Sequence, residues 1–259
     1  MQRRTYLAAG GATIAVAALT ATLLTGTNAL SSSEDRTIDA SGPIEVHGID
    51  RLPSETAEEW VAYADHVVSV TATSATEVPA TPEEIARGEG VIGRNVNLSV
   101  NNVLWSRTGV AQPAPTSWQY SAAGWQFKNG DLVNRREMAI HGQPRVEPGH
   151  TYIMAIAWQA AQCGEDGTTP AGWIGLGGGS EVAFEGGIIG NGENEGTVTP
   201  AQPVTGAAAK ALPIVPPIQE RPLKDFMKGK SSTALVTVLN SVTPGPVARK
   251  FTQQNTNCP

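Results

Sequence analysis

Arg94-Asn95-Val96-Asn97-Leu98-Ser99-Val100-Asn101-Asn102-Val103-Leu104-Trp105 sets Val96, Leu98 and Val100 in alternation with Asn95, Asn97, Ser99 and Asn101. That period of two marks a strand with one face buried and one wet. After Val100 the phase slips, because Asn102 takes the next inward position while Val103 and Trp105 are the apolar residues. A bulge or sharp bend at Asn101-Asn102 restores the alternation, the device by which barrel strands turn a corner. Upstream, residues 67–73 read as a β-branched strand, and before it Ala57, Trp60, Val61 and Ala64 recur at helical spacing. That helix has Ser54 as its N-cap or, alternatively, Thr56 with Glu59 as a capping box. Between the two strands, Thr81-Pro82-Glu83-Glu84 supplies an N-cap, an N1 proline and a capping acid, closed by Gly88 after one or two turns.

Downstream, short strands are expected at 117–120, 125–127 and 138–141. Residues 151–158 form a strand with two apolar faces, Tyr152, Met154, Ile156 and Trp158 against Ile153, Ala155 and Ala157, as in a strand covered on both sides. Further strands at 173–176, 181–184 and 187–189 complete the β part, the last two joined through Glu185-Gly186 as a hairpin. Pro and Ala then dominate the chain, and a helix near 231–242 carries the stripe Leu235, Val236, Leu239 and Val242. It is too short to stand alone and must dock. With charged residues at only 16%, 28 Gly and 18 Pro, the expected fold is mainly β: a small OB-like or related β-barrel with one N-terminal helix and a docked C-terminal helix. The organisation read from the sequence is an export signal over 1–29, a linker over 30–48, the β-barrel domain over 49–190, a linker or strap over 191–230, and a helix and tail over 231–259.

Residues 1–29 read as an address. Arg3 and Arg4 precede the apolar run 7–24, and Thr27-Asn28-Ala29 offers small residues at a cleavage point. Arg3-Arg4-Thr5-Tyr6-Leu7 resembles the twin-arginine pattern, with Gln2 where Ser or Thr is usual. An ordinary Sec signal remains the alternative, and without cleavage the run is long enough to tether the domain outside a membrane. The expected location is therefore secreted or in the cell envelope. Arg3 and Arg4 are the only charges in this segment, so the rest carries 16 basic residues against 24 acidic, a net of −8. That balance argues against a nucleic-acid partner. Cys163 and Cys258 both lie in the exported part, where an oxidising compartment allows a disulfide between them.

The candidate chemistry is sparse. His141 and His150, with Glu147 between, match no zinc spacing, so no metal site and no cofactor is assigned. Asp65-His66 places a base beside an acid, but a triad also needs a nucleophile, and no Gly-x-Ser-x-Gly elbow occurs. The expected role of Asp65 and His66 is to satisfy the helix exit and the strand start. Residues 175–180, Gly-Leu-Gly-Gly-Gly-Ser, lead toward a strand and not a helix, which fits a β connection better than a phosphate cradle. Glu181, Glu185, Glu193 and Glu195 lack calcium-loop spacing and read as a solvated acidic rim. Trp60, Trp105 and Trp158 fall in phase with core positions, which leaves Trp118, Trp125 and Trp173 as exposed platforms.

Residues 59–68, Glu-Trp-Val-Ala-Tyr-Ala-Asp-His-Val-Val, followed by Gly93-Arg94 with the strand to Trp105 and by Pro148-Gly149-His150-Thr151-Tyr152, resemble a group of exported actinobacterial proteins of uncharacterised activity. The layout is also similar to netrin-like domains, OB-type barrels that include the tissue inhibitors of metalloproteinases. Those inhibitors use a free N-terminal Cys that this chain lacks, so their mechanism does not carry over. The functional expectation is an exported, non-enzymatic envelope or extracellular interaction module whose partner is an extracellular protein or a glycan. The alternatives are an extracellular hydrolase built from scattered residues such as Asp65, His66, His141 and His150, or an inhibitor of a secreted protease.

Overall fold

A computed structural model describes residues 42–48, 52–164, 167–199 and 222–244. In chain order these form β1 (Ile44–Val46), α1 (Ala57–Tyr63), β2 (His66–Val78), α2 (Pro82–Arg87), β3 (Gly90–Ser106), β4 (Ser117–Phe127), β5 (Arg136–Ile140) and β6 (Thr151–Gln159). They continue with β7 (Gln162–Gly164), β8 (Gly167–Thr169), β9 (Gly172–Gly175), a 3₁₀ turn (Gly178–Ser180), β10 (Glu181–Glu185) and β11 (Ile188–Ile189). Last come β12 (Gly192–Asn194), β13 (Thr197–Thr199), α3 (Leu223–Met227) and α4 (Ser232–Ser241). The export signal at 1–29 and Cys258 lie outside the described residues. Among those residues, no helix is long and apolar enough to cross a membrane.

The mainly β expectation holds, but the barrel does not close. The nine-stranded sheet runs β1-β5-β4-β3-β2-β6-β10-β11, with β9 also on β6. Among the described strands only β1 and β5 pair in parallel, so the sheet is mixed. Closure would require the two end strands to pair. Instead β11 is only two residues long, and its outer side meets the chain entering α4, through an Ile188–Ser231 bridge and an Ile189 N–H to Lys230 carbonyl bond of 2.9 Å. Side chains span the curl where hydrogen-bonded strands would otherwise meet: the Tyr120 hydroxyl on β4 reaches Glu181 on β10 at 2.7 Å.

Two cores follow from the alternation in β2 and β6. Val68, Val70, Tyr152, Met154 and Ile156 point to the inner face, where Val96, Leu98 and Val146 complete a cluster packed by Trp118 and Trp173. Val67, Ile153, Ala155 and Ala157 point outward and are covered by Trp60 and Val61 of α1, Leu223 and Met227 of α3, and Leu235, Val238 and Leu239 of α4. Of the two caps offered for α1, the structure uses Thr56 and not Ser54. Thr56 and Glu59 make the capping box of α1, Thr81 and Glu84 that of α2, and Gly88 ends α2 in the left-handed region. α4 is capped by Ser231 and buries Leu235, Val238 and Leu239, so the expected stripe is shifted: Val236 and Val242 are only half-buried and Val238 takes part.

The bulge in β3 is present as a slip in pairing within a continuous strand. Ser69 faces Asn102 and Val70 faces Val100, so Asn101 is extra; a second slip passes over Leu104. The consequence differs from the simple restoration of phase. Val103 is exposed, Val100 is only half-buried, and Leu104 and Trp105 both pack against the helix-covered core. β4 is one strand where two short ones were expected, because Gly124 lets β3 and β4 approach so closely that a Cβ there would lie 2.0 Å from the Ile92 carbonyl oxygen.

Candidate functional site

The outer face of the sheet changes character along its length. Where β2 and β6 contribute Val67, Ile153 and Ala155, the helices cover it. Beyond Thr71 and Thr151 no described helix covers it, and it carries cross-strand rows of small neutral polar side chains, exposed on β4 and half-buried along β3. One row is Thr151, Thr71, Ser99 and Ser117; the next is Ser74, Asn97 and Gln119; the third is Thr76, Asn95 and Ser121. An extra residue, Thr73, shifts the β2 register so that Ser74 and Thr76 keep to this face.

Hydrogen bonds run along the rows. The Asn97 amide donates to Ser74 Oγ at 2.9 Å, the Asn101 amide to Thr71 Oγ1 at 2.9 Å, and Thr71 Oγ1 lies 3.4 Å from Thr151 Oγ1. None of the row positions is charged or aromatic. A solvated sheet face ordinarily carries Lys and Glu, which also discourage edge-to-edge pairing. Hydroxyls and amides both donate and accept, so a surface of them can meet a ligand dense in hydroxyls without a net field.

Beneath this face lies a buried polar network. Arg94 breaks the inward apolar phase of β3 and is 3% exposed. It donates to the Ala123 carbonyl at 2.8 Å and to Glu147 at 2.9 Å. Arg145 pairs with the same Glu147 and donates to the Met138 and Gly124 carbonyls at 2.9 and 3.0 Å. Glu193, 1% exposed, accepts from the backbone N–H groups of Arg145, Val146 and Gly196 at 3.0, 3.0 and 2.7 Å, and from the Tyr152 hydroxyl at 2.7 Å. Burial, with the Glu193 carboxylate beside it, holds the Tyr152 phenol protonated well above its ordinary range. Burial, reinforced by the neighbouring Arg145, lowers Arg94 from its ordinary value. Val146, at the centre, has φ +60°, a conformation that a β-branched residue keeps only where its surroundings impose it.

The residues singled out from the sequence are dispersed. Asp65, at the junction of helix exit and strand, pairs with Arg107 and accepts from the Trp158 N–H of β6 at 2.7 Å. His66 Nε2 donates to the Gln112 carbonyl at 3.0 Å, which leaves Nδ1 to accept from the Ser106 hydroxyl at 2.8 Å. His150 pairs with Glu185. It sits beside Ala72, six residues along β2 from His66, so the two histidines are about 20 Å apart at strand rise. His141 lies with neither; it faces Glu45 and Glu195. The acids form no common rim, because Glu181 and Glu193 are buried.

The aromatic platforms are also absent. Trp118 and Trp173 pack on the inner core, Trp173 with ring centroids 5.3 Å from both His66 and Trp158. Trp125 lies under the guanidinium groups of Arg135, Arg145 and Arg94, at 4.3, 5.3 and 5.9 Å from its centroid. Residues 175–180 form a strand end and a 3₁₀ turn leading into β10, as the connection reading expected. A cavity of about 10 Å³ lined by Trp60, Ile153, Val182, Ile189, Leu223 and Met227 has room for no more than a water.

The neutral face was overlooked in the sequence although its signal was there. Ser117, Gln119 and Ser121 repeat in β4 the wet-face pattern of Asn95, Asn97 and Ser99. No known protein family, curated protein or solved structure matches the chain.

Proposed function

We propose that the protein is an exported, non-enzymatic interaction module that binds a neutral glycan on the polar outer face of β2, β3 and β4. The observation that carries this reading is the in-register array of Thr71, Ser74, Asn97, Ser99, Ser117 and Gln119, free of charge and of aromatic anchors. Protein partners are held chiefly by desolvated aromatic and Arg hot spots, which this face lacks. A glycan offers dense hydroxyls that amides and hydroxyls match directly or through water. The test is co-sedimentation of the full chain with insoluble cell-envelope polysaccharides, together with a glycan array. The expected result is binding that changes less than about twofold between low and high salt, since no charges are screened. It should weaken at least tenfold in the double variant Asn97→Lys, Gln119→Lys. Gln119 is exposed, where a substitution costs within about 0.5 kcal/mol of stability; the half-buried Asn97 gives up its bond to Ser74, so thermal unfolding of the double variant is measured alongside. Undiminished binding by that variant contradicts the reading.

A second reading rests on the Ser106–His66 pair. Ser106 is exposed, and its hydroxyl meets the His66 imidazole oriented by the Gln112 carbonyl, an arrangement able to activate a nucleophile. Ester or peptide turnover by the purified chain, abolished in Ser106→Ala, would establish this hydrolase in place of the binding module. The expected outcome is no turnover that depends on Ser106.

A further inference from the structure

We infer that Glu45, His141 and Glu195 form a binding site for a zinc-class divalent cation at the β1 edge of the sheet. His141 Nδ1 lies 3.4 Å from Glu45 Oε2 and 3.7 Å from Glu195 Oε1, and all three donor atoms fall within 4.8 Å of one another. A tetrahedral zinc site with ligand bonds of about 2.0–2.1 Å places its donor atoms about 3.3–3.4 Å apart, so only small side-chain shifts separate the observed arrangement from coordination. Among the described residues, no Lys or Arg comes within ion-pair distance of either carboxylate. The two negative charges thus converge on a single imidazole, and a cation would relieve their repulsion.

The backbone builds this convergence from three distant parts of the chain. Glu45 sits on β1 opposite Ala139, and the His141 N–H continues that pairing to the Val46 carbonyl at 2.9 Å. Glu195 occupies the first position of the two-residue turn joining β12 and β13, at φ +52°, followed by Gly196 at +77°. Such turns favour Asn or Gly there, so a Glu held in that conformation is a local cost. Its carboxylate accepts the Gly142 N–H, and its own N–H donates to the Gln143 carbonyl at 3.0 Å, which fixes it toward His141. The side chains of Glu45 and His141 are each 60% exposed, so an ion has free access. His47 lies beside the site, its ring centroid 5.4 Å from that of His141, outside the set of three converging donor atoms. One imidazole with two carboxylates favours zinc or a neighbouring transition metal over magnesium or calcium, which take oxygen ligands throughout. The bound ion would clamp the short strand β1 and the β12–β13 hairpin to the exit of β5, independently of any ligand on the polar face.

Isothermal titration of the tag-free, chelator-stripped full chain with Zn²⁺, Ca²⁺ and Mg²⁺, with thermal unfolding in parallel, tests this. One Zn²⁺ should bind per chain and raise Tm by several degrees, through preferential binding to the folded state. His141→Ala and Glu195→Gln should each weaken binding at least tenfold without lowering Tm in the metal-free protein by more than about 2 °C. His47→Ala should weaken it less. Absence of saturable Zn²⁺ binding, affinity unchanged in His141→Ala, or Ca²⁺ bound as tightly as Zn²⁺ would each overturn the assignment.

Discussion

Replacing Glu193 by alanine is expected to lower the unfolding free energy by about 3–5 kcal/mol, the range found when one partner of a buried charged network is removed. The size follows from what is left behind. The N–H groups of Arg145, Val146 and Gly196 and the Tyr152 hydroxyl lose their acceptor inside the protein, and the buried Arg94 loses the attraction of that carboxylate while keeping its pair with Glu147. Urea unfolding should show the midpoint falling with little change in slope, whereas Glu185→Ala, at a half-exposed pair, should cost less than about 1 kcal/mol. The same network sets an alkaline limit. The folded-state pKa of Tyr152 lies above its ordinary value of 10.0, so its contribution is complete below about pH 10. As the pH rises further, the unfolded chain loses that proton first and stability declines. In Tyr152→Phe this part of the decline should disappear. A Glu193→Ala protein within about 1 kcal/mol of the parent would show that the network is solvated and not structural.

Trp60→Ala is the second substitution of large effect, with an expected loss of about 3–5 kcal/mol. The indole is 1% exposed and donates to the Ser54 carbonyl at 2.7 Å. It stands with Leu223, Met227 and Leu235 around a cavity already present, so truncation enlarges a void that the surrounding helices cannot fill. Because α1 and α4 meet over this residue's side of the sheet, amide exchange in α4 should accelerate together with that of α1. Exchange in α4 that stays at parental rates would mean that the C-terminal helix docks independently of α1.

The local elements were legible in the sequence because short-range chemistry dictates them. The capping box at Thr81, the alternative box at Thr56 in place of a Ser54 cap, and the two-faced strand 151–158 came through in the structure. Closure of the sheet was not legible, because whether β11 pairs with another strand or with the chain at Ser231 depends on contacts distant in sequence. β1, β12–β13 and α3 fell in stretches read as linker or strap, since three to five residues carry too little periodicity to register. Arg94 was a visible anomaly, a charge in the buried phase of β3. Its partners Arg145, Glu147 and Glu193 lie some fifty to one hundred residues away, and only the topology unites them. The polar face was written in β3 and β4 separately. Its meaning emerged when the register aligned Asn97 with both Ser74 and Gln119.

Side-chain amide resonances give the most direct test of where this protein binds. In ¹⁵N-labelled full chain titrated with soluble oligosaccharides from the polysaccharide that co-sediments best, the NH₂ signals of Asn95, Asn97, Asn101 and Gln119 should shift in a saturable manner, while those of Asn129 and Asn134 stay in place. Shifts confined to Asn129, Asn134 or other positions off the β2–β3–β4 face, or no shift at any amide of that face at saturation, would contradict the assignment of the neutral polar array as the binding surface.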